Sequence, residues 1–205
     1  MRKLIIATMA VVTWVAAAGA KEFEIDTAHS QIGFKVKHVT GKVTGRFTTF
    51  SGSFSYDPKD VKSWNAQASI DPASINTDNE GRDKHLKSPD FFGVKDFPAM
   101  TFKSTGVSDV KEDHATLNGV LFMHGESHPV SLALEIGGVD KDPWGNETAG
   151  FTARGEIKRK DWGMTFNKLL DSGNVLVGDK VEIILEIAGN AKKAESPAKG
   201  KSKGT

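Results

Sequence analysis

The sequence predicts an all-β domain: an antiparallel meander or barrel of about eight strands with one short helix inserted. Three observations predict it. Apolar and polar residues alternate with a period of two over most of the chain. Clusters of Gly, Asp and Pro separate the alternating runs at hairpin spacing. One internal stretch alone, Thr77 to Ser88, lacks the alternation.

The chain opens with Arg2 and Lys3 ahead of an uncharged apolar stretch that ends in Ala18, Gly19 and Ala20. This is the layout of a secretory signal peptide cleaved after Ala20. The apolar stretch is shorter than the ~20 residues of a membrane-spanning helix. A mature chain beginning at Lys21 and exported to the periplasm is the expectation. With no cysteine, the domain folds without disulfides and lacks a lipidated cysteine anchor.

Residues 21 to 189 are long enough for one well-buried domain. Ile32, Phe34 and Val36 share one face of the first run, opposite Lys35 and Lys37. Phe50, Gly52, Phe54 and Tyr56 alternate with serines, and Trp64, Ala66, Ala68 and Ile70 alternate with Asn65, Gln67 and Ser69. The pattern continues in MTFKSTG, HATLNGVLFMHG, HPVSLALEIGG, AGFTARGEIKRKDW and DKVEIILEIAG, with turns such as Gly137-Gly138 and DKDPWGN between the runs. A short helix is placed at 79–87, with Thr77 or Asp78 as its N-cap and Pro89 limiting its extension. Glycines within strands suit bends and bulges by which a sheet closes on itself.

Residues 190–205 lack large apolar side chains and are expected to form a disordered lysine-rich tail. Of 27 basic and 26 acidic residues, two basic ones fall in the signal, and five basic and one acidic in the tail. The body keeps 20 and 25, a formal charge of −5, which argues against a nucleic-acid partner.

The motifs of catalysis are missing. There is no Gly-x-Ser-x-Gly elbow, no cysteine nucleophile and no phosphate-cradling glycine loop. His124 and His128 flank a turn, but a transition-metal site needs about three protein ligands. Two calcium-like loops carry Lys87 and Phe151 where the bidentate Glu belongs. Neither a catalytic residue, a metal nor a cofactor is expected. Strand parity carries His38, Arg159 and Asp161 inward, to the end of an apolar interior. Two readings stand for them: Arg159 and Asp161 pair with each other or with backbone and brace the fold, or with His38 they hold the polar head of a ligand.

The segments DTAHSQIGFKVKH (26–38), GRFTTFSGSF (45–54), INTDNEGRDKHLKSPDFFGVKDFPAMTFKST (75–105), RKDWGM (159–164) and VGDKVEI (177–183) together resemble the YceI-like family of exported, lipocalin-like, polyisoprenoid-binding proteins. The resemblance runs over nearly all of 24–189. It implies an eight-stranded antiparallel lipocalin-like barrel with a helical segment and no catalytic apparatus. Its apolar pocket takes an isoprenoid chain of the respiratory quinone or polyprenyl phosphate type.

On this basis Phe34, Val36, Phe54, Phe91, Phe92, Phe102 and Trp162 are expected to line an apolar tunnel. Continued alternation would turn Trp162 outward, so its place requires a bend near Gly163. Leu86 and Phe97 are expected to turn inward as well, with the 79–87 helix over one barrel end. His38, His85, Arg159 and Asp161 are the candidate head-group residues. The leading functional expectation is a periplasmic carrier or storage protein for an isoprenoid lipid, with transient membrane contact and a homodimer among its options. An enzyme acting on such a lipid by acid-base chemistry and a ligand-free structural envelope protein are the alternatives.

Overall fold

The computed structural model describes residues 20–171, 173 and 175–192. The expected signal peptide, except Ala20, and the tail beyond Lys192 lie outside the described residues. The strands are β1 (Lys21–Ile25), β2 (Gln31–His38), β3 (Gly41–Phe47), β4 (Phe50–Tyr56), β5 (Asn65–Ile70), β6 (Ile75–Asn76), β7 (Met100–Ser108), β8 (His114–Met123), β9 (Glu126–Lys141), β10 (Glu147–Lys158) and β11 (Val177–Ala191). One α-helix, α1 (Glu80–Leu86), lies between β6 and β7.

These segments form eight strand units of a closed antiparallel barrel. β11 pairs with β2 between Val177 and Glu186 and with β1 from Gly189 to Ala191. β4 pairs with β1 and β3 with β2, while β5 pairs with β4 and β6 with β3. Thus β1/β2, β3/β4 and β5/β6 are three interrupted units, and β7 to β11 are five continuous ones. Every unit neighbours the next in sequence, and the pairing of β1 with β11 closes the ring.

Side chains replace ladder bonds at the interruptions. Between β1 and β2, the Ser30 hydroxyl donates to Ala188 O at 3.1 Å and accepts from Ala188 N at 2.9 Å. Asp26 accepts from Ala28 N at 2.9 Å, His29 Nδ1 at 2.8 Å and Asn190 Nδ2 at 3.2 Å. Between β3 and β4, the amides of Thr48 and Thr49 both donate to Ser74 Oγ. The bends cost few hydrogen bonds because these hydroxyls and carboxylates accept what the broken ladder leaves over.

The helix N-cap is Asn79, whose Oδ1 accepts from Arg82 N at 2.9 Å; neither Thr77 nor Asp78 takes that role. Thr77 is engaged elsewhere: its amide donates to Asp83 Oδ1 at 2.9 Å, and Arg82 donates to its hydroxyl and carbonyl at 2.8 Å each. Arg82 and Asp83 therefore fix α1 to the end of β6. β11 also runs beyond the expected boundary at 189. Asn190 and Ala191 pair with Glu24 and Phe23, and Lys192 N donates to Glu22 O at 2.9 Å. The start of the expected tail is thus part of the barrel.

The core has two layers along the barrel axis. One gathers Phe23, Phe54, Tyr56, Trp64 and Leu132 near the end where β1 begins. The other gathers Ile32, Phe47, Ile70, Met100 and Trp162 near the end covered by α1, termed the helix end below. Phe102 and Leu185 pack against both.

Candidate ligand-binding cavity

Inward-facing side chains of all eight strand units leave an internal cavity of about 260 Å³. It spans both core layers, from Tyr56 and Trp64 to Met164 and Val177. At the ~30 Å³ that each water takes up in the liquid, it holds about nine water-sized groups.

Six of the seven expected tunnel residues stand on its wall: Phe34, Val36, Phe54, Phe91, Phe92 and Phe102. Alternation supplies the strand residues. The chain leaving α1 supplies Phe91 and Phe92, held where Phe92 N donates to Leu86 O at 3.0 Å and Phe91 N to Ser88 O at 3.1 Å. Phe92 meets Phe47 edge to face with centroids 5.6 Å apart, joining this segment to β3. Leu86 also reaches the wall.

Trp162 departs from the expectation. Strand alternation stops at Lys158, where a 3-10 helix, Arg159–Trp162, begins and ends at Gly163 with φ +72°. That bend turns the indole into the core, but not onto the cavity wall. Its Nε1 donates to Leu121 O at 3.2 Å, and its ring packs on His128 with centroids 4.9 Å apart. Phe97 also misses the wall and packs on His124 with centroids 4.5 Å apart.

Of the four head-group candidates, Arg159 alone reaches the cavity wall, and it is 3% exposed. Its Nε donates to Gly178 O at 2.9 Å, Nη1 to Met164 O, and Nη2 to Val177 O at 3.4 Å. It thereby ties together both ends of the loop between the 3-10 helix and β11. Among the described residues no carboxylate lies within 4 Å of it. Burial pushes the guanidinium below its ordinary value, and the charge of Asp179 pulls the other way. Three bonds use three of its five N–H groups. A buried positive charge without an ion-pair partner therefore stands at the helix end of an otherwise uncharged wall.

The other three do not join it. His38 is the last residue of β2, in register with Val177 but beyond the wall residue Val36. His85 lies on the solvent side of α1, where its Nε2 donates to Asp90 at 2.8 Å and its ring packs against Phe91 and Phe166. Asp161 is exposed and unpaired with Arg159, since the 3-10 turn carries it out of strand parity. Of the readings for Arg159, the structure shows the bracing by backbone; the Arg159–Asp161 pair does not form.

Sequence reasoning missed the part played by glycines on the wall. Phe34, Phe54 and Phe102 each overlie a glycine: Gly45, Gly189 and Gly119. For Phe34 and Phe102 an aromatic facing a glycine on the neighbouring strand was the available signal; Gly189 lies on β11, across β1 from Phe54.

The YceI-like domain family matches residues 23–189. The chain belongs to the YceI-like family. The UPF0312 protein of Vibrio cholerae is 36% identical over 169 residues, covering 80% of this chain and 89% of the relative. A crystal structure of the Campylobacter jejuni YceI protein superposes with a TM-score of 0.67 at 34% identity, covering 82% of this chain and 96% of the other. A polyisoprenoid-binding domain from Saccharophagus degradans, implicated in plant cell wall breakdown, shares the fold. Its TM-score is 0.59 at 16% identity, with 84% of this chain and 99% of that domain covered. The YceI-like barrel is thus kept across a wide range of sequence.

Proposed function

We propose that this YceI-like protein is an exported carrier or storage protein that holds the isoprenoid tail of a lipid inside its barrel. The observation that carries the reading is the cavity itself: apolar along both core layers, with one charged side chain, Arg159, on its wall. Burial of several hundred Å² of tail at about 25 cal/mol per Å² supplies on the order of 10 kcal/mol before ordering costs. Binding then needs few polar contacts. The two N–H groups of Arg159 not used by backbone suit an oxygen-rich head, a quinone carbonyl or a polyprenyl phosphate, at the helix end.

The likeness to a polyisoprenoid-binding domain supports the same ligand class. Export to the periplasm is proposed from the signal-like residues 1–20. The reading assigns binding and no bond-making step. Native mass spectrometry of the protein purified from its own cells tests it. A retained isoprenoid lipid, released intact on denaturation, is the expected result. A chemically altered lipid would favour an enzyme, and an empty barrel that takes up no added isoprenoid would overturn the proposal.

A further inference from the structure

We infer that the helix end of the barrel docks on an anionic phospholipid bilayer, through an apolar tip flanked by lysines. The tip is built from two loops. Val39, in the β2–β3 turn, is 38% exposed; Leu169 and Val175, in the loop before β11, are 77% and 48% exposed. The loops are joined: Val39 N donates to Leu176 O at 3.0 Å, Leu176 N to Lys168 O at 2.9 Å, and Leu169 and Val175 form an antiparallel bridge.

Val39 holds φ at +53°, a left-handed conformation that β-branched residues avoid and that Gly or Asn adopts at lower cost. The turn therefore keeps an apolar side chain in solvent at the expense of backbone strain. The tip is also continuous with the cavity. Val36 and Val177 line the wall, and Asn167 clamps the second loop by donating to Val177 O at 2.7 Å and accepting from Val177 N at 3.1 Å.

Charge selects the occupant. From Thr27 to Tyr56 the chain has no carboxylate but carries Lys35, Lys37, Lys42 and Arg46, within a body of net negative charge. Lys37 and Lys42 are register partners on the exposed face of β2 and β3. Like charges placed opposite one another are unfavourable unless a partner neutralises them; Glu182 reaches only Lys42, at 3.7 Å. Apolar side chains that insert, beside cations that meet lipid phosphates, are the recognition chemistry of an anionic membrane surface. The inference rests on the cavity as a lipid site only for its purpose, since docking would place the cavity's end against the lipid store.

Vesicle flotation tests it, with phosphatidylcholine alone and with added phosphatidylglycerol. The protein should float with the anionic vesicles and be released by salt. Replacing Lys37 and Lys42 by Gln should weaken partitioning about fivefold per lysine. The triple variant Val39→Asn, Leu169→Ser, Val175→Ser should lower it by about tenfold or more. Isoprenoid uptake in solution, read by tryptophan emission, should persist in both variants. A missing uptake signal in the wild type would strike the cavity reading instead. Absence of flotation, equal flotation on both vesicle types, or no effect of the variants would overturn the docking surface. A concentration-dependent dimer dissolved by the apolar variant would also overturn it, assigning the tip to a second copy of the chain.

Discussion

The Phe34 ring lies over Gly45. The two are register partners on β2 and β3, and a Cβ added to Gly45 would stand 2.3 Å from Phe34 Cζ and 2.8 Å from Thr77 Cγ2. Phe102 lies over Gly119, two residues out of register on the neighbouring strand, and Phe54 lies over Gly189, across β1 on β11. Aromatic rings laid over glycines form wall without filling the centre, so the barrel buries large side chains and still keeps its cavity.

Gly45→Ala should therefore drive the Phe34 ring inward. Overpacking of this kind costs about 1–3 kcal/mol, and the displaced ring should also weaken isoprenoid uptake. Thermal melting together with ligand titration checks both effects. An unchanged melting temperature would mean that the ring has room to move and that Gly45 does not shape the wall.

Arg159 should govern the loop before β11 more than it governs the barrel. Arg159→Met removes the Arg159 donor from the carbonyls of Met164 and Gly178, while Val177 O keeps the bond from Asn167, a loss of about 2–4 kcal/mol at the scale of unmade buried hydrogen bonds. Hydrogen exchange should quicken at Leu176 and Val177 while β8 and β9 stay protected. If Arg159 also meets a lipid head, the variant should lose more affinity for a polyprenyl phosphate than for the matching uncharged alcohol. Equal losses would limit Arg159 to bracing.

Much of this was legible before the structure. The eight strand units follow from alternation because each unit turns one face to a shared interior; Phe34, Phe54 and Phe102 fall on that face by parity alone. Parity fails where the backbone leaves the strand. Asp161 and Trp162 sit in a 3-10 turn. The strand interruptions were illegible because Ser30 and Ser74 are ordinary polar residues until Ala188 and Thr48 arrive opposite them. The β3 segment GKVTGRF, with only Val43 and Phe47 as large apolar residues, gave too weak an alternation to stand out.

Asp26 should make the β1–β2 bend sensitive to acid. Its carboxyl is held below the ordinary value of 3.8, first by the hydrogen bond from His29, then by those from Ala28 N and Asn190. Because the folded value is depressed, the stabilisation is present above the unfolded value and is lost as pH falls through the folded one. Asp26→Asn should thus be less stable than the wild type near neutrality, and the difference should close in acid below 3.8. Urea midpoints across that range decide it. A difference that stays constant with pH would remove the carboxylate from the account.

Ala153 offers the most direct probe of the cavity. It lies on β10 with Leu134 and Leu185 as register partners, is buried, and stands on the wall midway along the barrel. In the wild type, affinity should rise with isoprenoid length by roughly 0.8 kcal/mol for each methylene buried, until the cavity is full. Ala153→Phe puts a ring into that space without removing any wall contact. Short isoprenoids should still bind, the plateau should arrive at a shorter chain, and filling the void should leave the melting temperature equal or higher. Titrating a length series into both proteins, with tryptophan emission as the reporter, separates this outcome from its rival. If both proteins show the same dependence on length, the tail lies elsewhere, because a ligand that shares space with residue 153 cannot ignore a phenyl ring placed there.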